Sequence, residues 1–351
     1  MALNPISLPK PLISRKAVNS RASILLIALW LLCLLTTFAV ILGYQVRQKL
    51  TLIQRLDERD KLHFIAEAGI KKAIVELKKV PQETCDSLRD AWGNSPEIFK
   101  EMNIGDGIVN ISYDYYNEQA GRFDTWYGLI DEERKININK ATLPTLERLF
   151  RIVLGIDETQ AQELAACIID WRDSDSELSS PFGSAEGPYY RNLRYSYEAK
   201  DADFEVLEEL FLVKGMTQEA FEKIRDYITI YGSGKVNINT ASGAVLLALG
   251  LSEETVNKIL SFRAGEDRIA GTTDDNVFDA SSNIVPKLSQ FYHLSDAEIA
   301  HLSLIIQDQN LATNSDNFMA RCNAKLNGRK NISQLICVIN RSGKILYWQE
   351  S

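Results

Sequence analysis

The run Asp170-Trp171-Arg172-Asp173-Ser174-Asp175-Ser176-Glu177, followed by Gly183-Ser184-Ala185-Glu186 and Tyr189-Tyr190, is the densest chemical signal in this sequence. Carboxylates alternating with small polar residues on an irregular segment bring hard oxygen ligands together, and their mutual repulsion is costly unless a cation neutralises it. Calcium is the expected ion, with Asp170, Asp173, Asp175, Glu177 and Glu186 as the expected ligands. The segment is not an EF-hand: counting from Asp173, the twelfth residue is Ser184 rather than Glu and the sixth is not Gly. The competing reading is a solvated acidic loop, the commoner fate of a charge run. A second acidic stretch, Glu266-Asp267 with Asp274-Asp275, is less patterned.

Catalytic motifs are absent, so no enzyme is expected. His63, His293 and His301 form no compact ligand spacing, and no GxSxG elbow occurs. Gly232-Ser233-Gly234-Lys235-Val236 has the look of a phosphate loop, but Thr229 stands where its first Gly belongs and Val236 where Ser or Thr would hold magnesium. It is read as a turn between modules. Of the five cysteines, Cys33 lies in an apolar run and Cys85 and Cys167 have no obvious partner. Cys322 and Cys337 flank a segment turning at Asn327-Gly328, so they can face each other across an antiparallel pair, either as a disulfide or as two buried thiols. No CxxC pair supports a zinc or redox site.

The elements that must carry these residues begin with a membrane signal. The first 22 residues hold Lys10, Arg15, Lys16 and Arg21 and no acid, and Ser23 to Tyr44 then contains no charge. At about 1.5 Å per residue this run crosses a hydrocarbon core of about 30 Å. The flanking cations place the N-terminus in the cytoplasm and the acidic body outside it. A cleavable signal peptide would have a shorter apolar region. From Leu50 to Lys79, Ile53, Leu56, Ile65, Ile70, Ala73, Ile74 and Leu77 recur at helical spacing, and no proline intervenes before Pro81. One helix of roughly 55 residues, about 80 Å long, is therefore predicted.

Short strands follow. Gly107 to Tyr116 and Arg122 to Ile130 predict a hairpin turning at 117–121, and Asn317 to Ala324, Ser333 to Asn340 and Lys344 to Trp348 predict a second β region. Residues 136–310 between them are helical in pattern, which predicts an α+β chain with a helical domain inserted into a small antiparallel β-sheet domain. The predicted divisions are 1–22 (leader), 23–80 (long helix, membrane-spanning over 23–44), 81–135 and 311–351 (two parts of the β domain) and 136–310 (insert).

The insert contains an internal echo. Lys135-Ile136-Asn137-Ile138-Asn139-Lys140-Ala141 and Lys235-Val236-Asn237-Ile238-Asn239-Thr240-Ala241 share K-[IV]-N-I-N-x-A, each ahead of a predicted helix. Asn139 and Asn239 are expected to cap those helices or make the turn. NINxA segments followed by a short hairpin are similar to helix-hairpin-helix DNA-binding modules, of the SAM-like class. Here the hairpins are Gly155-Ile156-Asp157-Glu158 and Gly250-Leu251-Ser252-Glu253-Glu254, with carboxylates where a phosphate would approach. A net charge of −8 from 39 basic and 47 acidic residues also argues against general nucleic-acid binding. At 45% hydrophobic and 25% charged, the chain is an ordered globular type.

Taken together, these segments resemble the minor pseudopilin K family of the type II secretion system, also called general secretion pathway protein K. The likeness runs from Arg21 to the C-terminus. It rests on Ser23-Ile24-Leu25-Leu26-Ile27-Ala28-Leu29-Trp30, Ala66-Glu67-Ala68-Gly69-Ile70, Asp131-Glu132, the two NIN segments, the Asp170 block, Leu207-Glu208-Glu209-Leu210, Leu212-Val213-Lys214-Gly215-Met216 and Trp348-Gln349-Glu350. It implies a pilin-like fold with an inserted helical domain, calcium near the acidic block, and a structural place at the tip of a periplasmic pseudopilus anchored through the bacterial inner membrane. The implied partners are minor pseudopilins I and J and a prepilin peptidase, with no nucleic acid. The matching cleavage bond is Ala22–Ser23, where family leaders normally carry Gly before the cut. The fifth residue after it is Ile27, where major subunits carry Glu. The alternative function is a membrane-anchored, competence-type DNA-binding protein using the two NIN modules.

Overall fold

The computed structural model describes residues 20–79, 85–118, 120–180 and 183–350, with side chains from Ile24 onward. The 1–19 part of the predicted leader and the side chains of Ala22 and Ser23 lie outside the described residues.

Helix α1 covers Ser20–Lys78. The first compact unit ends at Asp60. Within it, Leu26, Trp30, Leu34, Phe38 and Ile41 are all exposed. Among the described residues α1 is the one helix long and apolar enough to cross a membrane. The hydroxyls of Thr36 and Thr37 donate to the Cys33 carbonyl at 2.9 and 2.7 Å, which keeps their polarity inside the helix.

The second unit starts at Lys61. After α1 come α2 (Pro96–Phe99), β1 (Met102–Ile104), β2 (Gly107–Asn117), β3 (Arg122–Tyr127), β4 (Ile130–Asp131) and β5 (Ile136–Asn137). The insert continues with α3 (Leu143–Leu154), α4 (Glu158–Arg172), α5 (Gly187–Arg191), α6 (Gln218–Ile224), β6 (Ile228–Thr229) and β7 (Val236–Asn237). It ends with α7 (Gly243–Ala248), α8 (Glu253–Arg263), α9 (Ile284–Phe291), α10 (Asp296–Gln307) and β8 (Leu311–Ala312). Strands β9 (Asn317–Leu326), β10 (Ile332–Asn340) and β11 (Ile345–Glu350) return to the sheet.

The antiparallel sheet runs β1-β2-β9-β10-β11, with β3 on β2 and β4 on β9. Strand β4 leads into the insert and β9 follows the chain that comes back from it, so their pairing closes the β domain around the insertion. Leu62, Ile65, Ala66, Ile70, Ala73 and Leu77 of α1 recur at helical spacing and bury against Val109, Ile111, Ala320, Cys322, Leu335 and Ile339 of the sheet. The approach is close because the helix is small there: a Cβ on Gly69 would stand 2.7 Å from Cγ1 of Val109.

The insert has its own core, in which Phe150, Trp171, Tyr190, Phe204, Leu246, Phe278 and Leu302 are buried together. Two-residue parallel ladders, β5 with β6 and β7 with β8, close its two modules. Such ladders are too short to show as strands in a sequence pattern.

Two pairs of alternatives are decided. Cys322 lies opposite Leu335 and Cys337 opposite Ala320, so the thiols share a face of the sheet but are offset by two residues. Both are free and buried, and burial pushes each up to about 12. Asn139 and Asn239 lie in the turn ahead of each helix and are not its caps. Thr142 and Ser242 hold those positions, and only Ser242 makes the side-chain bond, accepting from the Val245 N–H.

Candidate metal centre

Helix α4 delivers the first acidic residue. Its N-cap Asp157 accepts from the Gln160 N–H, and its inner face buries Leu164, Ala165, Ile168 and Trp171, which fixes the rotation of its last turn. That rotation turns Asp170 inward, where it is fully buried. One Asp170 oxygen accepts from the Ser179 N–H at 2.8 Å, pulling the following loop over the helix end. Trp171 packs edge-on against Tyr190 at 5.1 Å, and Tyr190 stacks on Tyr197 at 5.3 Å, so aromatic contacts hold the far side of the loop.

Asp173 is the C-cap of α4, and Glu186 is the N-cap of α5. One oxygen from each of Asp173, Asp175 and Glu186 lies within 4.8 Å of the other two. Asp170 is outside this trio, and its charge acts on Asp173 and Glu186. Glu177 is exposed and outside it, and its backbone N–H instead donates to Asp175 at 2.8 Å. Asp201, which the sequence did not single out, completes the surroundings. It sits at φ 50° with its N–H on the Trp171 carbonyl at 3.1 Å, and its charge acts on both Asp173 and Glu186.

Three carboxylate oxygens here, Asp170 Oδ2, Asp173 Oδ1 and Glu186 Oε1, are buried without a hydrogen-bond partner. Buried polar atoms are rarely left so, and three around one acidic pocket fit a hard cation with oxygen ligands. Burial pushes Glu186 up to about 7, with the charges of Asp170, Asp173 and Asp201 adding to it. Asp173 is raised by burial and then by Asp175 and Asp170.

The two NIN modules are built alike. Asn137 and Asn237 each accept the N–H of the residue two on, at 2.9 and 3.0 Å. Asn139 clasps the backbone of Phe204, donating to its carbonyl at 2.9 Å and accepting its N–H at 2.8 Å, and Asn239 does the same to Phe278 at the same distances. Arg172 donates to the carbonyls of Ile138 and Ala141, and Arg263 to that of Ala241. Helices α3 and α7 meet between the modules, where Arg148 donates to the Ala248 carbonyl at 2.9 Å. Each hairpin is sealed by its own chain: Asp157 and Ser252 cap α4 and α8, and Glu158, Glu253 and Glu254 fill their first turns. The cap takes one N–H of each helix and carboxylates line each first turn, which is unfavourable for a phosphate, so the geometry does not support the DNA-binding alternative.

A family model described as "Type II secretion system (T2SS), protein K" matches residues 125–233. Over residues 125–233 the chain is therefore similar to type II secretion protein K. The Type II secretion system protein K of Aeromonas hydrophila is 32% identical over 105 residues, which cover 28% of this chain and 31% of that protein. The chain thus spans about a third of the length of this curated relative. A chain in the crystal structure of the GspK-GspI-GspJ complex from the enterotoxigenic Escherichia coli Type 2 Secretion System shares the fold, with a TM-score of 0.59 over 88% of this chain and 99% of that one, at 15% identity.

The protein K segment holds the first NIN module, the acidic trio, Asp201 and Phe204, and ends just before the second module. In that second module Phe262-Arg263 stands where Trp171-Arg172 stands in the first, but Ser261 and Ala264 replace Asp170 and Asp173. Its loop closes on itself: Asp274 accepts the N–H groups of Glu266 and Asp267 at 2.8 and 3.1 Å, and these bonds with Thr272 hold it down to about 2.

Proposed function

We propose that this chain is a structural minor pseudopilin, placed at the tip of a type II secretion pseudopilus and supporting protein export across the outer membrane. The observation that carries this reading is the nesting of elements. One helix supplies an exposed apolar span and, further along, residues that bury against a pilin-like sheet, and the sheet is interrupted by a segment similar to protein K. The insert exceeds the sheet in size, and a subunit of that bulk suits the end of a filament better than its body. The role asked of it is assembly rather than catalysis.

In this reading the apolar helix anchors the chain singly in the inner membrane, with Lys10, Arg15, Lys16 and Arg21 on the cytoplasmic side and the acidic body in the periplasm. A prepilin peptidase cuts between Ala22 and Ser23. The absence of a carboxylate at Ile27 removes the pairing that a filament-body subunit would make with its neighbour. Pseudopilins I and J are the expected partners.

Calcium is the expected ion, held by Asp173, Asp175 and Glu186 with Asp170 outside the trio. Bound there, it would neutralise the carboxylates and tie the end of α4 to the start of α5. The chain's own residues do the rest: Ser179 and the Trp171-Tyr190-Tyr197 contacts shape the loop, and Asp201 closes its side.

The test is capture of the full chain from solubilised membranes in calcium, with mass identification of what it holds and of its own N-terminus. Two small pilin-like proteins in equal amount, and a chain beginning at Ser23, are the expected result. Retention of DNA without such partners would overturn the reading.

A further inference from the structure

A second buried acidic group lies far from the metal centre in sequence, where the insert joins the sheet. Asp86, Asp131, Glu132 and Glu133 are all buried there. Glu132 pairs with Lys135 at 2.5 Å, and Asp86 pairs with Arg341. Asp131 and Glu133 have no ion-pair partner among the described residues and are held by neutral donors.

Those donors come from separate parts of the fold. Asp131 accepts from the Glu133 N–H at 2.8 Å, from Asn237 Nδ2 at 3.1 Å, from the Thr240 hydroxyl at 2.5 Å and from the Ser315 hydroxyl at 2.8 Å. Glu133 accepts from the Asn317 backbone at 3.0 Å and its side-chain amide at 2.7 Å. Asn237 also donates to the Asp86 carbonyl at 3.2 Å. The joint therefore links the segment after α1, β4, the second NIN motif, the lead into β9 and the turn after β10.

We propose that Asp131 and Glu133 form a proton-binding joint that keeps one proton when closed and loosens the second module from the sheet when that proton is lost. Two carboxylates in one dry site without a cation cannot both stay ionised cheaply. The proton resides on Glu133. Its O–H donates to the Asn317 side-chain carbonyl once that amide is turned over, and its second oxygen keeps the backbone N–H. On opening, the proton passes to water and no other covalent bond changes.

Burial is the main force raising both groups, and the Asp131 charge adds to it at Glu133. Asp86 is raised as well, because burial outweighs Arg341. The other charges facing the joint are Asp316 and Asp90 beside Asp86, and Arg134, whose guanidinium lies over the Tyr115 ring. The folded state thus binds more protons than the unfolded state above the ordinary carboxylate range. Stability from the joint is complete below that range and is lost as pH rises through the raised values.

The experiment follows hydrogen exchange of the Asn317 and Glu133 amides in the full chain in detergent, in saturating calcium, from pH 5 to pH 9. Asn317 N–H bonds the Glu133 carboxyl and Glu133 N–H bonds the Asp131 carboxyl, so both report closure of the joint. After correction for intrinsic exchange, protection should fall by up to about tenfold per pH unit over the window where one proton is lost. Glu133→Gln, which imitates the protonated acid, should flatten the profile. A difference infrared spectrum should show a buried protonated carboxyl at pH 7 that this variant lacks. A flat parent profile, an unchanged slope in Glu133→Gln, or no such carboxyl band overturns the proposal.

Discussion

Glu186→Gln should change the stability of the chain in opposite directions with and without calcium. In the absence of the ion, Glu186 is a buried carboxylate held up to about 7, with an oxygen that nothing bonds and the charges of Asp170, Asp173 and Asp201 around it. Near neutral pH the neutral amide relieves that repulsion, so the variant should melt at or slightly above the parent. With calcium at about 100 times its dissociation constant, the parent gains about 2.7 kcal/mol by mass action. For a body beginning at Lys61, larger than the domains for which about 2–4 °C per kcal/mol is typical, that is roughly 5 °C. Losing an outer partner of a metal site costs about 10–100-fold in affinity, and losing one of three clustered carboxylates should cost no less. The calcium-dependent rise should then fall to about half or less. The assay is thermal unfolding in chelator and in a calcium series, with Asp173→Asn as a second variant. Equal calcium shifts in parent and variants, or no shift in the parent, would refute the reasoning and leave a solvated loop.

Two further outcomes follow from the same geometry. Protons should compete with calcium: with Glu186 raised to about 7 and Asp173 also raised, the ion must displace protons as pH falls, so calorimetric affinity should decline from pH 8 to pH 5.5. The Asn clasps should rank by burial. Asn239 is 2% exposed and Asn139 is half-buried, and each removal strands a Phe N–H and carbonyl. At about 1–3 kcal/mol per buried orphan, Asn239→Ala should cost roughly 2–4 kcal/mol in urea unfolding and Asn139→Ala less. Equal costs would show that burial does not govern the clasp.

Periodicity made much of the fold legible. The long helix was readable because an uncharged run passes without a proline into positions that repeat at helical spacing, and α1 occupies Ser20–Lys78. The expected hairpin and the three C-terminal strands correspond to β2, β3, β9, β10 and β11, whose turns carry Gly121, Gly328 and Gly343 in the left-handed region. The short ladders β5–β6 and β7–β8 were not readable, because two residues carry no period. The acidic trio was partly legible. Asp173, Asp175 and Glu186 stand out by composition, but nothing local excludes Glu177 or adds Asp201, since both outcomes depend on where the loop after α4 turns.

What the sequence by itself determined is whatever its one-dimensional order encodes: the apolar length, the helical and strand periods, the paired NIN motifs and the clustering of acids. These follow from propensity, spacing and charge, which neighbours along the chain already set. Only the tertiary structure decided which groups lost water together. It offset Cys322 from Cys337 through strand register, made Asn139 and Asn239 clasps on Phe204 and Phe278, and gathered Asp86, Asp131 and Glu133 from segments that the insert separates from β9 and β10. Burial is a property of three-dimensional packing, and it is burial that raises the proton affinity of those carboxylates.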